Sequence, residues 1–400
     1  MALYLDHNAT TPLHADALKA MLPWLESHFG NSSSVHQFGR QARKALDEAR
    51  SHVAALIGAS PEEIFFTGSG TEADNLAVKG IARALRCRGT HLVTSAIEHH
   101  AVLHSMRALK DEGFSITAAG VDRQCKVNPD EVLAAVTDST VLVTIMHANN
   151  ETGAIQPIER IGAQLRERGI PFHTDAVQSA GKLPIDVKQM PVDLLTLSSH
   201  KIQGPKGVGA LYIRKGTPMP KPVIDGGGQE SGIRAGTVNV AGIVGFGAAA
   251  LHAAKTLSDS APYLAYMRDY LEDGIRRIAP DALILTDRAG RLPNTVAVCF
   301  PNQAEGHLVE RLDQRGFAVS SGAACTADRT EPSHVLTAMG IEPSLARGSL
   351  RFSLGTEITE YDIDEVLKAL KSVLKSDPKP VSLLSPIEAL KEFARGGKKR

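Results

Sequence analysis

Between about residues 60 and 216, short β-rich runs alternate with helical ones, and this alternation restricts the fold more than any other feature. The runs are Ile64–Thr67, His91–Ser95, Ser115–Ala119, 140–146, Phe172–Asp175, Leu194–Ser198 and 208–213. Such a pattern predicts an α/β fold, with a large, mostly parallel sheet wrapped by helices and ligands gathering at the carboxyl ends of its strands. The Gly- and Ala-rich stretch 241–254 reads as a closely packed helix leading out of that domain. Beyond about residue 258 a few strands (295–300, 317–319, 350–353) interleave with helices near 305–314 and 360–374. These predict a smaller α/β domain completed by the N-terminal residues. The expected division is a large domain over 15–257 and a small one formed by 1–14 with 258–400. Residues 375–386 read as a linker before a short helix and a basic, solvated tail.

Three features fall just past strand ends. The run ending at Leu197 leads into Ser198-Ser199-His200-Lys201 and then Ile202-Gln203-Gly204-Pro205-Lys206-Gly207, which delivers a lysine into a loop of small residues. A desolvated amine loses its proton more readily than a solvated one, and the free amine condenses with an aldehyde. The alternative is a lysine that begins a plain surface turn. Asp175 closes the run Phe172–Asp175 and suits either of two tasks: pairing with a protonated pyridine nitrogen, or capping a helix over 176–180. Gly68-Ser69-Gly70-Thr71 joins Ile64-Phe65-Phe66 to a segment with Ala73, Leu76, Ala77, Ile81, Ala84 and Leu85 at helical spacing. A strand, a small-residue turn and a helix start make a phosphate cradle, because unpaired N–H groups and the helix dipole favour an anion.

Other residues narrow the chemistry. Arg351 stands within an otherwise apolar strand, and a buried guanidinium asks for a carboxylate, either a ligand's or a neighbouring acid's. His99 begins a helical segment shared with His100 and His104. Imidazoles four residues apart suggest zinc, but there is no His-Glu-x-x-His arrangement and no clear third ligand, so no metal is expected. Cys87, Cys125 and Cys299 read as small hydrophobes, whereas Cys325 lies in a small-residue loop with Gly322 and Pro332, where a thiol is exposed and mobile. None of the four forms a Cys-x-x-Cys pair, which points to a reducing compartment. Forty-four basic and 44 acidic residues cancel, so no overall field draws nucleic acid or membrane, and the substrate should be small. No run of about 18 apolar residues occurs, and a soluble cytoplasmic protein is expected.

Ten stretches in order resemble one family. They include Leu5-Asp6-His7-Asn8-Ala9-Thr10-Thr11, Phe29-Gly30-Asn31-Ser32-Ser33-Ser34, Glu98-His99, Asn149-Asn150-Glu151-Thr152-Gly153 and Arg234-Ala235-Gly236-Thr237. Residues 67–75, 173–178, 198–207, 320–325 and 350–355 complete them, and nearly the whole chain is covered. The resemblance is to the NifS/IscS-like cysteine desulfurases, pyridoxal-phosphate enzymes of fold type I in the class V aminotransferase superfamily. It implies pyridoxal 5'-phosphate held as an imine on Lys201, with Asp175 at the ring nitrogen. His99 is then stacked on the ring, moving protons with a pKa near working pH. Gly70, Thr71, Ser198 and His200 surround the phosphate, joined by Thr237 from the partner subunit of a homodimer. Asn150 and Gln178 reach the ring or the substrate, Asn8 and Asn150 the substrate, and Arg351 grips the α-carboxylate.

The reaction so implied takes sulfur from L-cysteine by way of a ketimine. It leaves L-alanine and a Cys325 persulfide, which passes to a protein sulfur acceptor. An iron–sulfur scaffold, nitrogenase maturation, tRNA thiolation and DNA phosphorothioation all remain open as destinations. Departures are small: Asp6-His7-Asn8 where Asp-Asn-Asn is common, Ser199 where glycine often precedes the histidine, and Ala323 where serine is usual. None removes a catalytic group. A transaminase or selenocysteine lyase needs no thiol in a mobile loop. A non-catalytic relative has no reason to keep Lys201, Asp175, His99, Cys325 and Arg351 together.

Overall fold

The structure, a computed structural model, describes residues 2–303, 307–321 and 332–375. The seven β-rich runs of the first half form one sheet. Its spatial order is Ile64–Thr67, Gly209–Ile213, Leu194–Ser198, Phe172–Asp175, Thr140–Thr144, His91–Ser95, Ser115–Ala119. Gly209–Ile213 runs antiparallel to both neighbours and the other six are mutually parallel. All strands but the edge strand Ser115–Ala119 are buried along their length, which is why they read as continuous apolar or small-polar runs. Successive residues of a strand point to opposite faces. Phe65, Leu92, Leu142, Leu194 and Leu211 accordingly pack against the helical side chains Leu76, Ile81, Val102 and Met106. Their neighbours Phe66, Val93, Val143, Leu195 and Tyr212 pack on the other face with Leu46 and Val53 of Gln37–Leu56 and with Ile243 and Phe246.

The helix expected over 241–254 is much longer, running from Val240 to Ile278 with Pro262 inside it. Proline removes one N–H from the ladder. Leu264, Met267, Leu271 and Ile275 beyond it keep helical spacing and bury into a second core with Leu5, Val296, Phe352, Ile363 and Leu370. The helix is therefore a spine shared by both cores. By length and composition it could cross a membrane, but Ile243, Phe246, Ala249 and Ala250 are enclosed in the first core. The second core is covered by the antiparallel strands Leu283–Ile284, Thr295–Cys299 and Ser349–Ser353, while Leu3–Tyr4 pairs in parallel with Phe317–Ala318. Leu308–Asp313 and Glu360–Lys375 are the two expected helices of this region. Cys325 and the segment after Lys375, with its linker and basic tail, lie outside the described residues.

Candidate active site

The chain turns from Leu194–Ser198 straight back into the antiparallel Gly209–Ile213, a connection too short for a crossover helix. Lys201 therefore sits in a loop at the carboxyl end of the sheet, at the close of the single turn Ser199–Lys201. The N-terminal segment pins that loop. Thr11 donates from N and Oγ1 to the His200 carbonyl at 3.0 and 2.9 Å, and His14 N donates to the Gln203 carbonyl at 2.8 Å. Gly204 is required here, since a Cβ would lie 2.1 Å from Ser199 Oγ. Lys201 Nζ donates to the carbonyls of Asn8 at 2.5 Å and Ala9 at 2.7 Å.

The phosphate cradle lies against the same strand end. Gly70 opens the helix Gly70–Asn75, and a Cβ there would meet Val177 Cγ2 at 3.0 Å and Ser198 Cβ at 3.1 Å. Thr71 beside it is exposed and Ser198 is buried. His200 Nδ1 is 3.0 Å from Thr10 Oγ1, and burial, followed by the charge of Lys201, pushes its imidazole down to about 4. Thr237 is exposed, and among the described residues no hydrogen bond joins it to Thr71, Ser198 or His200.

Asp175 does not cap a helix. Its Oδ1 accepts from Val177 N at 2.9 Å in a tight turn, and no helix follows over 176–180. Burial pushes its carboxyl up to about 6, against the pull of the Val177 N–H and the Lys201 charge. Asp74 is also buried, and its carboxyl is pushed well above the usual range by burial and then by the charge of Asp175. His173, 3.7 Å from Asp74, has its ring nitrogens 2.8 Å from Thr144 Oγ1 and 3.0 Å from Thr196 Oγ1, and burial pushes it down to about 3. Asp74 and His173 thus place two buried polar groups close to Asp175, with the Asp74 carboxyl shifted toward its neutral form.

His99 caps the helix His100–Asp111, with Nδ1 accepting from Ala101 N at 3.1 Å. A neutral ring in this position carries its proton on Nε2. Burial, followed by Lys201, pushes the imidazole down to about 4, which corrects the expectation of a pKa near working pH. His99 is a neutral Nε2–H donor here.

Arg351, buried in Ser349–Ser353, donates from Nη1 to the Asn150 carbonyl at 2.9 Å and from Nη2 to Asp6 Oδ1 at 2.5 Å. Among the described residues its Nε has no partner. Asn8 reaches the site through its carbonyl, which receives both Lys201 Nζ and Gln178 Nε2, the latter at 3.0 Å. The side chain of Asn8 is taken up by Asn294, Thr295 and the Asn150 carbonyl. Gln178 Oε1 is buried without a partner among the described residues.

Sequence reasoning missed Lys182, which is buried and donates to the Gln178 carbonyl at 3.0 Å. Burial, then the charges of Lys201 and Arg351, push its amine down to about 7. Asp6, Asp74 and His173 were also passed over as side chains of the site. Asp6 and Asp74 lie inside recognised stretches and His173 stands two residues before Asp175, so position within those stretches was the available signal.

A family model described as aminotransferase class-V matches residues 3–366. The cysteine desulfurase IscS of Dictyoglomus turgidum is 45% identical over 373 residues, 93% of this chain and 94% of the relative. Among solved structures, a NifS-like protein has a TM-score of 0.87 at 39% identity, covering 94% of this chain and 99% of its own. SspA in complex with cysteine has a TM-score of 0.78 at 39% identity, covering 88% and 98%. With identity of this depth sustained from the first strand to the last helix, the chain belongs to the class-V aminotransferase family, among its cysteine desulfurases.

Proposed function

We propose that this cysteine desulfurase holds pyridoxal phosphate at Lys201, takes the sulfur of L-cysteine onto Cys325 and releases L-alanine. The observation that carries the reading is the meeting of Lys201, Asp175, Gln178 and the Gly70 cradle at the carboxyl ends of neighbouring strands. These residues fit the cofactor. Gly70 leaves space against Ser198 for a phosphate, Asp175 offers a buried carboxylate to a pyridinium, and the unpartnered Gln178 Oε1 can accept from a ring hydroxyl. When bound, the cofactor supplies an electron sink for the substrate's α-carbon.

The chain's own side chains do the rest. Arg351 receives the substrate carboxylate on its free Nε edge. Lys201 is the amine that takes and returns protons, its Nζ held on the carbonyls of Asn8 and Ala9. His99 keeps a proton on Nε2 and donates a hydrogen bond from it. The Cys325 thiolate forms an S–S bond to the substrate sulfur as the C–S bond breaks, and the carbon so released takes up a proton to become the methyl group of alanine. Support for Cys325 comes from the two ends of its segment. Ser320 pairs through its backbone with Arg351, and Ser333 Oγ donates to the buried Glu151 at 2.5 Å.

We place the active form as a homodimer. Leu18, Leu22 and Leu25 of the helix Ala15–Glu26, together with Phe29, Val35 and Phe38, expose a large apolar surface, and the exposed Thr237 is free to serve the partner's phosphate. We assign a large domain to 15–257 and a small one to 1–14 with 258–400. The reaction is assigned to the cytoplasm, where the unpaired Cys87, Cys125 and Cys299 suit a reducing medium. The persulfide passes to a protein acceptor of the iron–sulfur assembly type, as the IscS name of the relative suggests. Incubating the purified chain with L-cysteine and a thiol reductant should release alanine and sulfide in equal amounts, and absence of alanine would reject the reading.

A further inference from the structure

We infer that Glu72 and Arg234 are positioning residues that fasten a chain's own phosphate cradle to the loop carrying Thr237, and so join the two phosphate sites of the homodimer. The inference rests on the reading that Thr237 serves the partner's phosphate. Glu72 lies in the first turn of the helix Gly70–Asn75. Its Oε2 accepts from Gly68 N at 2.8 Å, and its Oε1 accepts from Arg234 Nε at 2.8 Å. Gly68 is required at this junction, because a Cβ would lie 2.7 Å from Glu72 Oε2 and 3.4 Å from Arg234 Nη2. One carboxylate thus closes the turn of the cradle and holds the arginine of Arg234-Ala235-Gly236-Thr237.

A second tie joins the same two segments. Glu230 Oε2 accepts from Phe66 N and Arg50 Nη1, both at 2.8 Å, and its Oε1 accepts from Arg50 Nη2 at 2.7 Å. Phe66 belongs to Ile64–Thr67, the strand that runs into Gly68. Between the ties Ile233 is buried in the core that holds Ala73 and Leu76, and Ala235 is buried close against Gly226, where a Cβ would lie 2.9 Å away. Gly236 then bends the chain at φ +102°, a left-handed turn that suits glycine, and its N–H donates to Gln229 Oε1 at 3.1 Å. Thr237 follows, exposed. The loop is shaped within one chain, fixed to the cradle on one side and leaving Thr237 exposed on the other.

The Glu72–Arg234 pair is half-buried, so it adds little to global stability. Its effect is on placement. A phosphate contact made by a loop depends on how firmly the residues behind that loop hold it. Loss of the pair in one chain should therefore weaken the cofactor in the other.

The test uses mixed dimers isolated by two different affinity tags. One chain carries Lys201→Ala and one further change. Its partner is the parent chain, so borohydride fixes cofactor only on the parent chain's Lys201, beside an unaltered Gly70, Thr71 and Glu72. Isolation of the mixed dimer shows that the variant chain folds and pairs. Cofactor release from that site is followed as the fraction still fixed by borohydride at intervals after dilution.

Thr237→Ala in the marked chain should speed release by about tenfold or more, as loss of a hydrogen bond to a charged group does. Glu72→Gln and Arg234→Gln in the marked chain should each speed it by about three- to fivefold. Their double variant should do no worse than either alone, because both remove one contact. Arg234→Lys, which keeps an ion pair with Glu72, should stay within about twofold of the parent. Release at the parental rate in both Glu72→Gln and Arg234→Gln, with Thr237→Ala still fast, would overturn the coupling and leave the shared site standing. Additive effects of the two changes would also overturn it. A parental rate in Thr237→Ala would remove the shared site and the coupling with it.

Discussion

Arg351 Nη2 lies 2.5 Å from Asp6 Oδ1, and Nη1 of the same guanidinium donates to the Asn150 carbonyl at 2.9 Å. Both contacts brace one end of the fork and leave Nε, on its side edge, buried and without a partner among the described residues. A buried arginine is stable only when paired, and here the pairing leaves one edge for a ligand.

Arg351→Lys should therefore act on binding. Lysine cannot offer two parallel donors, and losing a charge-assisted hydrogen bond of about 1.5–3 kcal/mol predicts a KM for L-cysteine raised roughly 10- to 100-fold, with kcat much less affected. Steady-state kinetics check this. A collapse of kcat at unchanged KM would show that Arg351 does not hold the carboxylate.

Lys201→Ala should abolish covalent fixation of the cofactor by borohydride while leaving the fold intact, because the loop around it is held by Thr11 and His14 through backbone contacts. Peptide mapping of the reduced protein reads this directly. Cofactor fixed on Lys182, which is buried and has an amine pushed down to about 7, would move the assignment there.

Glu98 gives a prediction about stability. Its Oε1 accepts from Ser95 Oγ at 2.5 Å and Met146 N at 3.0 Å, and burial pushes the carboxyl up to about 8 from its ordinary 4.5. Between those two values the native chain holds a proton that the unfolded chain has released, so this group costs stability progressively as pH rises through that window. Glu98→Gln, which mimics the protonated acid, removes the dependence. Its urea midpoint should fall less than the parent's between pH of about 5 and about 8, and parallel curves would contradict the shift.

Much of this was legible locally. Six of the seven strands were readable because each is a short run buried on both faces, and Lys201, Asp175 and Gly70 because chemistry collects at strand ends. What escaped depends on contacts remote in sequence. Nothing near Arg351 names Asp6, nothing near Glu72 names Arg234, and the passage of one helix through Pro262 follows from a second core that its later residues fill. Nothing near Asn8 in sequence shows that its amide is taken up by Asn294 and Thr295 while its carbonyl faces Lys201. The low pKa of His99 follows from burial, which the residues around it in sequence do not reveal.

A shared phosphate site makes a prediction about assembly. If Thr237 serves the partner, mixing inactive Lys201→Ala and Thr237→Ala chains should give heterodimers in which one site lacks both changes. Activity should recover as subunits exchange. Monomers at working concentration, or no recovery despite exchange, would exclude the shared site.

Sulfur carriage by Cys325 is tested most directly by peptide mass spectrometry of the chain after exposure to L-cysteine without reductant, followed by alkylation. The Cys325 peptide should carry one added sulfur and Cys87, Cys125 and Cys299 none. Cys125 and Cys299 are buried, with thiols pushed up to about 12, and offer no thiolate at neutral pH. Cys325→Ser should lose both the adduct and alanine release. A persulfide on one of the other three cysteines, with alanine release undiminished in Cys325→Ser, would contradict the mechanism.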